Sequence, residues 1–217
     1  MAGTITALQF QKRNENRVNV YLDGEFAFGL AAIEAAHLRV GQVLSDDDVA
    51  GLRRWDKVEQ AYERTLHFLS YRPRSEAEVR RHLRQENEED EAIEAVVERL
   101  TQAGMLNERE FARYWVENRL QFSPRGIRAL NHELREKGVP ASIIADTLAG
   151  LDEQATARQA LEAGGRRLAH PDPRVFRRRL EAYLARRGFS YEVIVPLVEE
   201  MLETVRGEAL SDIESEG

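Results

Sequence analysis

Arginine is the residue of this chain with the most chemistry to offer. There are 28 arginines against 3 lysines. Several stand together: Arg72 and Arg74 flank Pro73, Arg80, Arg81 and Arg84 follow, Arg177, Arg178 and Arg179 are consecutive, and Arg186 and Arg187 come shortly after. A planar guanidinium pairs in bidentate fashion with carboxylates and phosphates. These clusters, with Arg125 and Arg128, fit docking onto an acidic protein surface or a phosphate backbone. Local partners compete for some of them. Glu76 and Glu78 lie close to Arg72 and Arg74, acids at 86 and 88–90 follow Arg84, and Arg186 and Arg187 suit the negative end of a helix dipole. The triple at 177–179 sits near a predicted helix start, where the dipole opposes it. Arg84 repels Arg80 and Arg81 at helical spacing. Those two groups most need an anion from outside their helix. Genomic base composition would account for the excess over lysine equally well.

No other residue set is arranged for catalysis. His37, His67, His82, His132 and His170 are scattered, with no pair at metal-ligand spacing. Cysteine is absent, which removes thiolate nucleophiles, thiolate metal sites and disulfides. Gly164-Gly165 is too weak for a phosphate loop. No metal, no cofactor and no enzymatic activity are expected. Tyr114-Trp115 could anchor a partner or stack on a base, but core packing is the commoner use of such a pair, and Trp55 reads the same way.

The chain that must position these arginines changes character near residue 54. Before it, residues 4–10, 17–22 and 25–30 alternate apolar and polar with β-branched and aromatic types, which predicts strands. Asp23-Gly24 between the last two is a strong hairpin signal. Residues 31–37 read as helix, and Ser45 before Asp46-Asp47-Asp48 caps another that runs toward Arg54. Beyond it, helices are predicted over 55–71, 75–85, 90–103, 107–122, 127–137, 141–149, 152–168, 175–187 and 191–204. Ser75-x-x-Glu78 is a capping box, and Gly104, Gly138 and Gly188 stop helices. Pro196 should kink the last helix or limit its regularity. The division expected is a β-containing head (1–54), three-helix units at 55–106, 107–151 and 152–206, and a frayed acidic tail (207–217).

The three units are versions of one pattern. Val79, Leu83, Ile93 and Leu100 are matched by Leu130, Leu134, Ile144 and Leu151, and again by Leu180, Leu184, Ile194 and Met201. The period is about fifty residues, and such self-similarity marks an array of small units, each too small to bury its own apolar face. The fold class predicted is mainly α: tandem three-helix repeats after a small segment containing a β-hairpin or meander. Arrays of this kind present extended surfaces to other macromolecules.

Composition bounds the rest. Of 217 residues, 42% are hydrophobic and 32% charged, a globular balance. There is no apolar run of membrane-spanning length and no apolar leader near Met1, so a soluble cytoplasmic protein, monomeric and away from membranes, is expected. Net charge is −7, which argues against a dedicated nucleic-acid binder. The charge is unevenly spread. Residues 152–187 hold nine arginines against five acids, and residues 188–217 hold one arginine against eight. The acidic stretch could screen the basic one or mimic a polyanion for it.

Three stretches carry a family resemblance. The first is Leu69-Ser70-Tyr71-Arg72-Pro73-Arg74-Ser75 with Glu78 and Leu83. The second is Leu100-x-x-x-Gly104-Met105-Leu106-Asn107-Glu108-x-x-Phe111-Ala112-Arg113 with Arg119. The third is Gly126-x-x-Ala129-Leu130 through Glu133-Leu134-x-x-Lys137-Gly138-Val139. In order and spacing these resemble the RecX regulators of the RecA recombinase, over about residues 55–201. Met105 stands where the family has an aromatic, and Asn107-Glu108 where it has an acid pair. The resemblance implies a non-enzymatic modulator, a curved array of three-helix units lying in the groove of the RecA–single-stranded-DNA filament. There it would block strand exchange, ATP turnover and coprotease action, and so modulate DNA repair and the SOS response. The candidate partner surface comprises the arginines named above, with single-stranded DNA as a weaker second contact. Two other functions fit the residues: a stand-alone DNA-binding helical module, since three-helix units are similar to helix-turn-helix geometry, and a helical scaffold for an unrelated protein.

Overall fold

Alternating apolar residues build an antiparallel sheet at the start of the chain. Strands β1 (Gly3–Gln11), β2 (Asn14–Leu22) and β3 (Glu25–Ala31) form the expected meander, and a two-residue strand, β4 (Val43–Leu44), completes the order β3-β2-β1-β4. The Asp23-Gly24 turn has φ of 50° and 90°, the left-handed pair that a two-residue hairpin requires. Leu22 accordingly pairs with Glu25. One face of the sheet buries Ile5, Val18, Val20, Leu22, Phe28 and Leu30. β4 pairs Thr4 with Val43, and two residues are too few to show an alternation in sequence. The computed structural model describes the backbone of residues 2–215 and the side chains of residues 2–165 and 167–205.

The helix α1 (Ala32–Ala35) is shorter than its sequence suggested, and α2 (Asp46–Ser70) is longer. Two helices were expected on either side of Arg54, but the structure has one of 25 residues, about 37 Å long. Its Ser45–Asp48 capping box is reciprocal, with Asp48 N–H donating to Ser45 Oγ at 3.1 Å and Ser45 N–H to Asp48 at 2.9 Å. No proline interrupts it. Apolar positions at helical spacing run through the junction: Val49, Leu52 and Trp55 pack on the sheet, and Val58, Ala61, Tyr62 and Leu66 pack into the next core. The buried Asp56 adds a polar tie, accepting hydrogen bonds from Arg17 (2.7 Å), Gln60 (2.6 Å) and the Ala31 amide (3.2 Å).

The remaining helices are α3 (Glu76–Gln85), α4 (Asp90–Gln102), α5 (Glu108–Phe122), α6 (Ile127–Glu136), α7 (Ala141–Leu148), α8 (Glu153–Gly164), α9 (Pro173–Arg186) and α10 (Tyr191–Ser215), with a 3-10 turn at Gly165–Leu168 after α8. The chain divides into two compact units, Met1–Arg74 with Val79–Leu106, and Ser75–Glu78 with Asn107–Gly217. Each set of three helices has its own core. Val79 and Leu83, Leu130 and Leu134, Leu180 and Leu184 are all fully buried, in separate clusters. The last position of the sequence pattern is less regular, because Leu151 and Met201 are only partly buried. The residue four after each buried isoleucine is the closer match: Val97, Leu148 and Val198. α10 passes through Pro196 without a break and continues beyond residue 204, where sequence ended it, so a helix replaces the expected frayed tail as far as Ser215. Pro196 removes a single amide bond near the helix start, and Gly207 alone costs a helix only about 1 kcal/mol.

Candidate interaction surface and the joints beneath it

The motif residues of the sequence converge on a few joints inside the second unit. In the first turn of α3, Ser75 Oγ donates to the Lys137 carbonyl at 2.6 Å, and the Glu76 N–H donates to Glu108 Oε1 at 2.7 Å. Lys137 Nζ reaches the buried Glu78 carboxylate at 2.6 Å. Gly138 follows in left-handed conformation (φ 80°), so close that a Cβ there would lie 2.5 Å from that of Ala77. Glu108 Oε2 is buried and has no hydrogen-bond donor. Burial, the largest influence, pushes the Glu108 carboxyl above its ordinary range; the neighbouring negative charges of Glu76 and Glu78 add to this, while the Glu76 amide opposes it.

The same joint recurs where α6 begins. The Gly126 N–H donates to the Arg187 carbonyl at 3.0 Å, and the Ile127 N–H donates to Glu153 Oε1 at 2.9 Å. Here Ser190 Oγ satisfies Glu153 Oε2 at 2.9 Å. Gly188 (φ 83°) packs against Ala129, and a Cβ on Gly126 would lie 2.3 Å from the Gly188 carbonyl oxygen. In both joints a glutamate in the first turn of one repeat's opening helix caps the middle helix of the preceding pattern, at a helix N-terminus where negative charge is favoured. Sequence reading missed Glu108, Lys137, Glu153 and Ser190 in these roles. The only signal available was the repeated Glu just inside each N-cap residue, Asn107 and Asp152.

The fold occupies some of the candidate arginines and leaves others without an ion pair to a described residue. Arg80 holds Glu94 with two hydrogen bonds, at 2.5 and 3.0 Å, which keep the Glu94 carboxyl below its ordinary range. Arg74 lies over the Phe68 ring at 4.0 Å, and Arg72 donates to the Pro73 carbonyl. Arg125 approaches Glu133 at 4.0 Å, Arg177 approaches Glu199 at 3.4 Å, and Arg187 donates to the Pro124 carbonyl while stacking on Tyr183. These six are therefore engaged within the fold. Arg81, Arg84, Arg128, Arg178, Arg179 and Arg186 are exposed and form no ion pair with a described residue. Arg135, which sequence reading did not select, joins them on α6. Thus each middle helix, α3, α6 and α9, carries at least two exposed arginines without a partner among the described residues.

Neither tryptophan is an exposed anchor of this surface. Trp115 is half-buried against the second core; its Nε1 donates to Glu133 at 2.8 Å, with Arg119 and Lys137 over its ring at 4.6 and 4.7 Å. Trp55 packs on the sheet core. Among the described residues no three His, Asp or Glu side chains are grouped to hold a metal ion, and no helix is long and apolar enough to cross a membrane.

Comparison with known proteins gives a consistent picture. Residues 3–45 match the Regulatory protein RecX N-terminal domain, and residues 61–100, 107–148 and 152–195 match the first, second and third three-helix domains of RecX. A regulatory protein RecX of Bacillus velezensis is 32% identical over 201 residues, covering 90% of this chain and 76% of the relative. That of Bacillus subtilis strain 168 is 32% identical over 196 residues, covering 88% and 74%. A crystal structure of regulatory protein RecX superposes with a TM-score of 0.74 at 25% identity, covering 93% of this chain and 99% of that one. The structure of RecX from Lactobacillus salivarius, 24% identical, shares the fold with a TM-score of 0.59 over 69% of this chain and 98% of its own.

Proposed function

Because this chain belongs to the RecX family of regulatory proteins, we propose that it is a non-enzymatic, cytoplasmic regulator of the RecA recombinase. The protein binds along the RecA–single-stranded-DNA filament and inhibits strand exchange, ATP turnover and coprotease action, thereby modulating DNA repair and the SOS response. One observation carries this reading: every middle helix exposes arginines that form no ion pair with a described residue, Arg81 and Arg84, Arg128 and Arg135, and Arg178, Arg179 and Arg186. Cations repeated on an array suit an acidic partner that is itself a repeating lattice. Many weak contacts then add through effective concentration. Inhibition is steric, since an array lodged on the filament excludes duplex DNA. Single-stranded DNA is a secondary contact of the same surface. Arg72, Arg74, Arg80, Arg125, Arg177 and Arg187 serve mainly to hold the loops and helices that present it.

The test is RecA ATPase on single-stranded DNA with this protein added well below one molecule per protomer. Wild type suppresses turnover. The combined Arg178→Glu and Arg179→Glu variant loses suppression while keeping its helical circular dichroism. Undiminished suppression by a folded variant removes those arginines from the contact, and no suppression by wild type overturns the reading.

A further inference from the structure

One face of α9 combines cations with an aliphatic floor. Arg178, Arg179 and Arg186 line a shallow groove with Leu168, Val175 and Ala182. At 100° per residue, Val175, Arg178, Arg179, Ala182 and Arg186 fall within one arc of the helix, opposite the face on which Phe176, Leu180 and Leu184 enter the core. The guanidinium groups are exposed and form no ion pair with a described residue. The groove has no aromatic ring for stacking a base. Its chemistry suits an acidic helix with small apolar residues interleaved.

Such a sequence occurs in this chain. Residues 207–217 carry Glu208, Asp212, Glu214 and Glu216 with Ala209, Leu210 and Ile213, and no basic residue. In sequence, Glu208, Asp212 and Glu216 recur every four residues, the spacing of Arg178, Ala182 and Arg186. Within one copy, the part of α10 that leads to this segment packs on the side of α9 away from the groove. α10 packs on the core face of α9 through Ile194, Leu197 and Leu202, Val205 lies beside His170 and Phe176, and the helix then continues to Ser215.

We propose that the Arg178–Arg186 face of α9 binds the acidic segment 207–217 of a second copy of this chain. The contact joins two different surfaces, so copies associate either by reciprocal exchange or head to tail, and the assembly grows with concentration. The monomer expected from sequence is then the dilute form. The inference does not depend on the filament reading, although both occupants use the same arginines and would compete.

Sedimentation velocity of the full chain, from about 5 to about 500 μM, tests it. At about 50 mM salt the mean mass should rise above the 24.8 kDa of one chain, and it should return there at about 300 mM salt, because exposed charges are screened. Reversing the groove (Arg178→Glu with Arg186→Glu) or the segment (Glu208→Arg, Asp212→Arg and Glu216→Arg) should weaken association at least about tenfold. A mixture of the two reversed proteins should associate again, since each then supplies what the other lacks. Three results would each overturn the proposal: a wild-type mass of one chain throughout, an unaffected groove variant, or a mixture that stays dissociated. Loss of oligonucleotide binding by the groove variant, with wild type monomeric throughout, would instead assign the face to nucleic acid.

Discussion

Two joints of the second unit share a plan and differ in chemistry. At the Ser75–Glu78 joint, Glu108 accepts one amide proton, leaves its second oxygen without a donor, and lies near a Glu78–Lys137 ion pair. At the Gly126–Ile127 joint, Glu153 has both oxygens satisfied, and two glycines bring backbone against backbone. The unsatisfied oxygen traces to one position. Ser190 precedes α10 as Pro140 precedes α7, and proline has no hydroxyl to give. A repeat can therefore keep a docking geometry while one copy is held by close packing and the other by charge.

Substitutions can exaggerate or erase that contrast, and the largest effect belongs to the packed joint. Gly126→Ala would set a methyl 2.3–2.5 Å from backbone atoms of Gly188 and Phe189, none of which can turn aside. We expect a loss of about 3 kcal/mol or more in urea unfolding. Gly138→Ala meets a single methyl group, of Ala77, and a left-handed backbone; it should lose less, about 1–2 kcal/mol. Equal losses would mean the two joints are packed alike.

The charged joint should respond most to Lys137→Met. This removes the Lys137 ammonium from the buried Glu78 carboxylate, which lies beside Glu76 and Glu108, at a cost of about 2 kcal/mol, while the same change at Arg135 should cost almost nothing. A smaller exchange tests the role of position 140. Ser190→Ala should lose about 1 kcal/mol by orphaning Glu153 Oε2, whereas Pro140→Ser should gain up to about 1 kcal/mol by supplying Glu108 with a donor. Thermal unfolding of the pair, compared with wild type, shows whether the two changes have opposite signs.

The smallest effect is on pH dependence. The Glu108 carboxyl is raised in the folded protein, so the native state takes up its proton more readily than the unfolded chain. Its contribution to stability is greatest below the unfolded pKa and is lost as pH rises through the folded one. Mild acidification from neutral pH should thus stabilise wild type relative to Glu108→Gln. A constant difference between the two across that range would show that Glu108 is not proton-sensitive.

Much of the architecture was legible because it depends on short-range patterns. The Asp23-Gly24 turn, the Ser75–Glu78 box and the Val79/Leu130/Leu180 series are local signals, and the folded protein uses each as its spacing suggested. The continuity of α2 past Arg54 was written in the unbroken apolar stripe of Val49, Leu52, Trp55 and Val58 but went unread; what such a stripe does not mark is its change of partner from sheet to helices. Among the candidate arginines, sequence could name neighbours within a helix turn. It could not foresee that Arg80 would cross to Glu94 or that Arg187 would reach Pro124.

By itself, then, the sequence determined the strands, the helices and the triple repeat, since backbone propensity and apolar periodicity act over a few residues. Tertiary structure alone decided which arginines pair within the fold and which residues meet at the two joints. Those outcomes depend on side chains brought together from positions such as Ser75 and Lys137, or Gly126 and Arg187, far apart along the chain. No local pattern encodes such a meeting, because its partners lie about sixty residues apart and only the folded chain brings them together.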